Sequence, residues 1–515
     1  MKLCLRSNVA YPWTVSGDNC FRGYFIYDDI LYEKELAINF LVNHYDKNDY
    51  SKVLYSLNGV FSFVLSISDD LVFSVDRLRG LPMFYSIIEN EVIVGDNIEE
   101  IANFSGGKKY SNESKADLLS SDTFVLGHYT LLKGVFQVRA GEYCVYSQKE
   151  RTFQHEQYYI TNHDVLYSDS DIELLQQHFW NAYKRTGDDM VRALKNRTAV
   201  IPLSGGADSR MLLELLVKAG YKNIICYTYG KTGNSEANIS RRVAEENGCK
   251  WIFVPYTKKM WKRIKRSKER IIYEDFASSF VSTPHFQDFP AVKYLKENNL
   301  IPEDSVFIPG HSGDIPNGNH VAGVYMNKIV TKSDCLQSIL RFTYHNTSKS
   351  TMDRLNQFYP LPDQGTPQEY ATIEEWFDTA ERQAKYIVNS VRVYEFFGYE
   401  WLIPLWDNNQ LEFWSHISLN WRYKRRLYYE LTKGDKLPST NDPSIGKSLA
   451  VQIRKIPVVE SVVRRTKKIM NWISSPLLME HLFDWRTYFI ACFKEYSSFN
   501  VVTLICKNNV KRLIK

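Results

Sequence analysis

The chain has 515 residues, more than a single hydrophobic core usually holds, which predicts two or three domains. Its 44% hydrophobic and 24% charged residues are typical of a soluble globular protein, and no stretch approaches the ~20 apolar residues of a membrane helix. Eight cysteines without CxxC pairs exclude a disulfide framework and a cysteine zinc site. With no signal peptide at the amino end, we expect a cytoplasmic protein.

The first part of the chain, up to about residue 165, has the pattern of an antiparallel β-rich domain. Short runs alternate apolar with polar residues and are separated by Asp, Asn and Gly. The clearest of these runs are at residues 59–67, 71–75 and 91–94. We predict strands there, within a first domain that covers residues 1–165.

From residue 170 onward the pattern changes to helices that alternate with strands. The predicted elements are a helix at 172–194, strands at 199–203, 221–230 and 251–254, and a helix from 235 to 244. This alternation predicts a doubly wound parallel sheet, which binds ligands at the carboxyl ends of its strands. The second domain is predicted over residues 170–450, and residues 321–380 are expected to be mostly helical.

Residues 204–209, SGGADS, lie between the first of these strands and a helical run and predict a phosphate-binding loop. Glycines let the backbone approach a polyanion closely, and the amides and positive end of the following helix face it. The Asp208 carboxylate would repel such a ligand unless a cation lay between them. The loop therefore predicts a nucleotide together with Mg²⁺.

The positive charge of the chain is concentrated at its carboxyl end. Residues 447–515 contain 13 Lys and Arg against 4 Asp and Glu, whereas the net charge of the whole chain is only +5. A solvated helical face explains this pattern. The alternative is a patch that receives a phosphorylated or membrane-anchored substrate, with peripheral membrane contact. We predict that residues 451–515 form a basic helical extension.

Motifs along most of the chain resemble those of asparagine synthetases. Residues 57–63 and 75–85 are similar to the LxGxFAF and RDxxGxxPLYY runs of that family's amino-terminal domain, and SGGADS matches its pyrophosphate loop. Residues 308–314, IPGHSGD, occupy the place of its GEGSDE motif, and residues 398–407, GYEWLIPLWD, resemble its SxExRxPFLD motif. The resemblance implies an α/β two-domain protein, with an Ntn-type αββα antiparallel-sheet sandwich followed by a doubly wound ATP pyrophosphatase domain with a helical extension.

The amino-terminal domain departs from the glutamine-dependent members of that family. Those enzymes expose a cysteine as residue 2, whose free α-amine is the base for its own thiol, whereas this chain has Lys2. Their NGEIYN glutamine-binding box has no counterpart around residues 21–27. We therefore expect a degenerate class II glutamine amidotransferase-like domain with Cys4 and Cys20 packed inside it. This pattern resembles β-lactam synthetase and related amide-forming cyclases.

A second departure is His311, which stands where asparagine synthetases have glutamate and β-lactam synthetase has tyrosine. In β-lactam synthetase that tyrosine works with a glutamate, which corresponds to Glu400 here, to deprotonate the attacking amine. The resemblance implies that His311 is the base and that Glu400 orients the ring and stabilises its cation. An imidazole of pKa ~6.5 is mostly neutral at pH 7 and can accept the proton. The alternative is that His311 only hydrogen-bonds a turn or a ribose.

The same resemblance implies further site residues. The pyrophosphate of ATP would lie on Ser204, Gly205, Gly206 and Ser209, Mg²⁺ on Asp208 and Asp314, and the adenosine near Gly310, Tyr227 and Thr228. A lysine would offset the negative charge that develops during amide formation. Lys447 is the first choice for this lysine, with Lys433 and Lys436 as rivals, and Asp407 is expected to fix the loop that presents Glu400.

The activity implied is ATP-dependent amide formation, in which a carboxylate becomes an acyl-adenylate and is attacked by ammonia or an amino compound. The GHSGD and YEFFGYEW runs resemble asparagine-synthetase-like proteins of bacterial surface-polysaccharide clusters, which implies a uronic acid on a nucleotide-linked or lipid-linked sugar. The alternatives are an ammonia-dependent asparagine synthetase, a β-lactam or peptide cyclase, and a noncatalytic scaffold of a biosynthetic complex. The expected partners are these small molecules and a second copy of the chain, not nucleic acid.

Overall fold

The computed structural model of the chain describes residues 1–169, 171–432 and 501–514. Its strands are β1 (Lys2–Cys4), β2 (Thr14–Ser16), β3 (Asn19–Tyr27), β4 (Ile30–Glu33), β5 (Asn58–Ile67), β6 (Asp70–Val75), β7 (Phe84–Ile88), β8 (Glu91–Gly95), β9 (Phe136–Gln137), β10 (Glu142–Ser147), β11 (Thr152–Gln157), β12 (Ala199–Pro202), β13 (Ile224–Gly230), β14 (Lys250–Pro255), β15 (Val306–Phe307) and β16 (Glu400–Trp401).

The helices are concentrated in the second half of the chain. They are α1 (Lys34–Asn43), α2 (Tyr50–Ser56), α3 (Ile98–Phe104), α4 (Asn112–Ser121), α5 (Ile172–Leu194), α6 (Ala207–Lys218), α7 (Ser235–Glu246), α8 (Lys258–Lys265), α9 (Lys268–Ser278), α10 (Phe289–Glu297), α11 (Lys332–Thr343), α12 (Lys349–Phe358), α13 (Pro367–Phe377), α14 (Arg392–Phe396), α15 (Asn408–Ser415), α16 (Leu419–Arg422), α17 (Arg426–Leu431) and α18 (Val501–Leu513). A π-helix at Asp378–Ile387 continues α13, and short 3-10 helices lie at Gly323–Met326, Val388–Val391, Pro404–Trp406 and Tyr423–Arg425.

The amino-terminal part consists of two sheets with helices on both outer faces. A seven-stranded sheet has the order β11-β10-β6-β5-β3-β2, with β4 on β3, and a four-stranded sheet has the order β1-β8-β7-β9. Apolar side chains of the two sheets meet between them, whereas α1 and α2 cover the larger sheet and α3 and α4 the smaller one. The predicted strands at 59–67, 71–75 and 91–94 are confirmed as β5, β6 and β8.

The second part is built on a five-stranded parallel sheet in the order β14-β13-β12-β15-β16. The predicted helix over residues 172–194 is confirmed as α5, and the strands and the helix predicted between 199 and 254 are confirmed as β12, β13, α7 and β14. Residues 321–380, which the sequence predicts to be mostly helical, contain α11, α12 and α13. The carboxyl ends of β12, β13 and β15 therefore meet at one edge of the sheet.

The amino-terminal and parallel-sheet parts share buried contacts. One apolar core contains Phe25 and Phe61 of the antiparallel sheet together with Phe307 and Trp401 of the parallel sheet. Nearby, the Lys385 ammonium donates to the carbonyl oxygens of Val125 and Gly127 at 2.9 and 2.7 Å. The described residues thus form a continuous interior across the boundary that the sequence predicts near residue 165.

The carboxyl-terminal helix α18 packs on the amino-terminal part. Cys506, Val510 and Leu513 are buried in the same apolar cluster as Leu118 of α4. Arg512 lies 3.1 Å from Glu274 and also pairs with Asp275, so part of the basic charge of this region is neutralised internally. In the described ranges, no helix is both long enough and apolar enough to span a bilayer.

Candidate active site

The SGGADS loop connects β12 to α6 and is closed by its own two serines. The Ser204 amide donates to Ser209 Oγ at 3.1 Å, the two hydroxyls lie 3.1 Å apart, and the Gly206 amide donates to Ser204 Oγ at 3.1 Å. Helix α6 begins directly after Gly206, and no side chain caps it. The amides of its first turn and its positive dipole end are therefore available to an anion, as the sequence predicts.

Gly310, in the loop after β15, lies directly against the start of α6. A Cβ atom at this position would lie 2.9 Å from the Ser209 amide nitrogen and 3.2 Å from the Asp208 carbonyl carbon. Real side chains do not tolerate such a distance to backbone, so only glycine allows the two loops to approach this closely. Gly205 is different, because a Cβ there would meet the Glu236 side chain at an ordinary 3.5 Å.

A cavity of about 320 Å³ opens between these loops at the carboxyl edge of the parallel sheet. It is lined by Pro202, Ser204, Gly206, Asp208, Ser209, Tyr229, His285, Gln287, Asp288, Pro309, Gly310, His311, Ile387, Ser390 and Val393. The structure thus brings the predicted phosphate loop, Gly310 and His311 around one space. Its position agrees with the rule that open α/β sheets bind ligands at the carboxyl ends of their strands.

His311 points one ring nitrogen at Ser390 and leaves the other without a partner among the described residues. Nε2 lies 2.9 Å from Ser390 Oγ, and Nδ1 is buried. Burial lowers the pKa of the imidazole, although the negative charge of Asp288 opposes this shift. The ring is therefore neutral near pH 7 and able to accept a proton.

Asp208 faces Arg425, a partner that the sequence did not indicate. Arg425 Nη2 lies 2.5 Å from Asp208 Oδ1, and its Nη1 lies 3.5 Å from Oδ2. Burial raises the pKa of Asp208, and the nearby charge of Asp314 adds to this rise, whereas Arg425 opposes it. The positive charge of Arg425 thus partly neutralises the Asp208 carboxylate of the phosphate loop.

Asp314 is held by a histidine that also reaches a second carboxylate. His320 Nε2 lies 3.7 Å from Asp314 Oδ2 and Nδ1 lies 2.8 Å from Asp378, while Asn319 donates to Asp314 at 2.9 Å. Burial would raise the pKa of Asp314, but the hydrogen bond and charge of His320 outweigh it and hold that pKa at about 2. The two carboxylates in turn raise the pKa of His320 to about 9 against the effect of burial.

The donor set around Asp208 and Asp314 fits a hard cation such as Mg²⁺, which prefers carboxylate oxygens. Asp208 lines the cavity whereas Asp314 does not, and each carboxylate already has a partner, Arg425 for Asp208 and His320 for Asp314. Arg425 would have to release Asp208 for an ion to bind there.

Glu400 does not lie beside His311, which corrects the expectation that it orients the imidazole. Glu400 begins β16 and pairs in register with Val306, the first residue of β15. Its carboxylate forms an ion pair with Arg197 at 2.7 Å. Because the strands are parallel, this places Glu400 at the amino edge of the sheet, whereas His311 follows the carboxyl end of β15. Glu400 is therefore paired with Arg197 at the amino edge of the sheet, away from His311.

Tyr227 and Thr228 do not line the cavity, which corrects their assignment to the adenine site. Tyr227 is completely buried against Phe307, with ring centroids 6.0 Å apart, and the Thr228 hydroxyl donates to the Leu203 carbonyl at 2.7 Å on the opposite face. Tyr229 lines the cavity instead. It lies two residues after Tyr227, on the same face of β13 and closer to the carboxyl end of that strand.

Lys447 and its rivals Lys433 and Lys436 lie outside the described residues. Asp407, expected to fix the loop that presents Glu400, caps α15 by accepting from the Asn409 amide at 2.8 Å and also accepts from Asn58 at 2.6 Å. It therefore ties the start of α15 to strand β5 of the amino-terminal sheet.

His285, Asp288 and Ser390 also line the cavity, and the sequence indicated none of them. Asp288 accepts hydrogen bonds from the Tyr394 hydroxyl at 2.8 Å and from the Tyr229 hydroxyl. Burial lowers the pKa of His285 to about 3, so this ring is neutral as well. These residues come from the loop before α10 and from the segment after the π-helix, where the sequence carries no motif.

No family model matches the chain. The Escherichia coli protein named Microcin J25-processing protein McjC is 23% identical over 207 residues, which are 40% of this chain and 37% of that protein. The Gibberella zeae protein named Amidase chry2 is 25% identical over 212 residues, which are 37% of this chain and 30% of that protein. The chain thus spans about a third of the length of these curated relatives.

Two solved structures overlap parts of the chain. The NH3-dependent NAD synthetase from Campylobacter jejuni, in complex with a nitrate ion, is 14% identical and covers 36% of this chain and 83% of its own, with a TM-score of 0.19. The glutamine phosphoribosylpyrophosphate amidotransferase from B. subtilis, complexed with ADP and GMP, is 8% identical. The match covers 68% of this chain and 76% of that protein's chain, with a TM-score of 0.18. TM-scores this low establish no shared overall fold.

The partial match to the microcin-processing protein confirms the resemblance of this chain to asparagine-synthetase-like amide ligases at a coarse level.

Proposed function

We propose that the protein is an ATP-dependent amide ligase that activates a carboxylate as an acyl-adenylate. The observation that carries this proposal is the cavity of about 320 Å³, in which a phosphate loop and a neutral histidine face one space. A phosphate site alone would suit many nucleotide-binding proteins. A proton acceptor in the same cavity is what a transfer to an amine requires.

The phosphate loop would bind the leaving pyrophosphate. Ser204 and Ser209 line the cavity, and the uncapped amides and positive dipole end of α6 would face an anion bound there. The substrate carboxylate oxygen attacks the α-phosphorus of ATP, and the bond from that phosphorus to the β-phosphate oxygen breaks. Pyrophosphate leaves with the electron pair, and the acyl-adenylate remains. Mg²⁺ bound by Asp208 and Asp314 would neutralise charge on the phosphates.

His311 would remove the proton of the attacking amine. The amine nitrogen forms a bond to the acyl carbon, the carbon–oxygen bond to AMP breaks, and the amine proton passes to the neutral imidazole, whose Nδ1 has no partner among the described residues. Ser390 holds the other nitrogen at 2.9 Å and fixes the ring. Asp288 lines the same cavity, so its charge can stabilise the imidazolium and attract an ammonium-form substrate in the role that the sequence assigned to Glu400.

The amino-terminal part would serve as a scaffold of the Ntn type without glutaminase activity. Cys4 is completely buried in β1, and burial raises the pKa of its thiol to about 12. A thiol in this state is a poor nucleophile at pH 7, because thiolate is the reactive form. The nitrogen would therefore come from free ammonia, a partner glutaminase or an amino compound.

A peptide is a second candidate for the acyl substrate, next to the uronic acid that the sequence suggests. One relative is named as a processing protein of a microcin and the other as an amidase, and both names are compatible with chemistry on an amide bond. Ammonia-dependent asparagine synthesis and cyclisation of a β-lactam or peptide are further variants of the same chemistry. A homodimer and peripheral membrane contact through the basic carboxyl-terminal region remain proposals.

The test is carboxylate-dependent exchange of labelled pyrophosphate into ATP, across uronic acids, aspartate and other amino acids, and peptides with a free carboxylate. We expect one class to support exchange and the Asp208→Asn variant to lose it. Asp334→Asn is the matched control, because Asp334 is an exposed capping residue of α11. If no carboxylate supports exchange or AMP release, the ligase proposal is wrong and the scaffold alternative is favoured.

A further inference from the structure

A cluster of two histidines and a glutamate lies in the amino-terminal part, and none of its residues lines the cavity described above. Glu142 begins β10, His155 lies in the adjacent edge strand β11, and His128 lies in the loop before β9. Cys144 is directly opposite His155 in the strand register, so Glu142, two residues earlier, is a diagonal neighbour of His155 on the same face. The hairpin and the loop thus bring three ligand-type side chains together.

The three side chains present their ligand atoms to one another. His128 Nε2 lies 2.7 Å from Glu142 Oε1, and His155 Nδ1 lies 3.5 Å from the same oxygen. All three ligand atoms lie within 4.8 Å of one another, and the two imidazole centroids are 4.1 Å apart. Neighbouring ligand atoms of a tetrahedral zinc site are separated by about 3.4 Å, as follows from metal–ligand bonds of about 2.0–2.1 Å.

We propose that His128, Glu142 and His155 form a binding site for a divalent metal ion of the zinc class. The ligands are His128 Nε2, Glu142 Oε1 and His155 Nδ1, with a water molecule at the fourth tetrahedral position. Two imidazoles and one carboxylate form a donor set that zinc prefers, whereas Mg²⁺ and Ca²⁺ prefer oxygen alone.

The surroundings of the cluster favour coordination. The remote Nε2 of His155 lies 3.3 Å from the Tyr85 hydroxyl, and the Arg139 amide donates to Glu142 Oε2 at 2.9 Å. Outer hydrogen bonds of this kind orient metal ligands. The Glu142 side chain is only 2% exposed, whereas His155 is 31% exposed, so an ion could enter from the solvent side of the edge strand.

The ion would hold a loop that joins the two parts of the protein. Gly127, next to His128, donates its amide to Glu381 Oε2 at 3.1 Å, and its carbonyl accepts from Lys385 at 2.7 Å. A metal at His128 would link this loop to the β10–β11 hairpin through bonds stronger than the single hydrogen bond to Glu142. We therefore assign the site a structural role at the junction.

The test is zinc titration of the full chain after chelator treatment, with a competing chromophoric chelator to report affinity. Co²⁺ serves as a second probe, because its visible absorption reports tetrahedral coordination. We expect one equivalent of tightly bound Zn²⁺ and a tetrahedral Co²⁺ spectrum. We also expect the thermal unfolding midpoint to rise on adding zinc, since an ion that binds only the folded state stabilises it.

Variants locate the ion. We expect His155→Gln, on the exposed edge strand, to weaken zinc binding by more than about 100-fold, and Tyr85→Phe, which removes an outer hydrogen bond, to weaken it by about 10–100-fold. His44→Gln is the control, because His44 is an exposed histidine of the same part that bonds only the Phe40 carbonyl. His128→Gln serves as a second ligand variant if His155→Gln does not fold. Absence of stoichiometric zinc in the wild type would overturn the proposal, as would equal affinity in a folded ligand variant.

Discussion

His311 is the residue on which the second half of the proposed reaction depends. We expect His311→Phe to retain carboxylate-dependent pyrophosphate exchange and to lose amide formation by about 10²–10⁴-fold, because only the second step needs a proton acceptor. Measuring both rates on the same preparation separates the steps. His416→Gln, an exposed histidine that bonds the Asp164 carbonyl, should change neither rate. Amide formation at the wild-type rate in the Phe variant would rule out His311 as the base.

His320 should make the stability of the site region depend on pH. Its pKa is about 9 in the folded chain and ~6.5 when unfolded, so its stabilisation is complete below pH ~6.5 and is lost as pH rises through about 9. His320→Gln should therefore lower the free energy of unfolding by about 1–2 kcal/mol at pH 6, allowing for partial exposure, and by almost nothing at pH 10.

Denaturant unfolding of both proteins at the two pH values measures this difference. Asp314 does not confuse the result, because its pKa of about 2 makes its contribution constant above pH ~4 and lost only as pH falls through about 2. A stability difference that stays constant from pH 6 to pH 10 would contradict the assigned pKa of His320.

At the scale of elements, the contact between the loop after β15 and the start of α6 shapes the phosphate site. Gly310→Ala would place a methyl group 2.9 Å from the Ser209 amide nitrogen and push the two loops apart. We expect pyrophosphate exchange to fall on the order of 10²-fold, since a displacement near 1 Å costs that much in catalysis. Gly187→Ala in α5 is the control, because its Cβ would meet Leu215 at 3.4 Å or more. Full exchange activity in the Gly310 variant would show that this close approach is not needed.

A site residue could be predicted from the sequence when it belongs to a recognisable local motif, and could not when it reaches the site through tertiary packing. The SGGADS loop follows a predicted buried strand, and the resemblance of residues 308–314 to a family motif assigned Gly310 and His311 to the same site; the structure places all of them around one cavity. Asp288, Ser390 and Arg425 reach the site only through tertiary packing of segments without a regular pattern. Glu400 was misplaced because a motif identifies a residue but not the end of the strand on which it lies.

At the scale of the whole molecule, a fully buried ion pair within the π-helix hydrogen-bonds the amino-terminal part, because Lys385 also donates to the carbonyl oxygens of Val125 and Gly127. Lys385 lies 2.6 Å from Glu381, both side chains are 0% exposed, and Glu381 also accepts from the Tyr359 hydroxyl at 2.6 Å. Lys385→Met would leave the buried Glu381 carboxylate with only the more distant Arg139, 3.9 Å away, as its cation. We expect a loss of about 3–5 kcal/mol in the free energy of unfolding.

Thermal and denaturant unfolding measure this loss, and two variants serve as comparisons. Lys332→Met removes an exposed pair with Asp363 and should cost only about 0–1 kcal/mol. The double variant Lys385→Met/Glu381→Gln should recover part of the stability, because the buried Glu381 carboxylate that lost the Lys385 charge is then itself neutral, although Arg139 also loses its pair. If Lys385→Met is as stable as the wild type, the buried pair does not hold the two parts together.

The central claim is that this protein activates a carboxylate by joining it to AMP, and oxygen transfer tests it most directly. The carboxylate that supports pyrophosphate exchange is labelled with ¹⁸O and incubated with ATP, Mg²⁺ and the amine, and the released nucleotide is analysed by mass spectrometry. Our account predicts one ¹⁸O atom in the phosphate of AMP, because the acyl carbon–oxygen bond breaks when the amine attacks. Label in inorganic phosphate with ADP as the product, or unlabelled AMP, would contradict it.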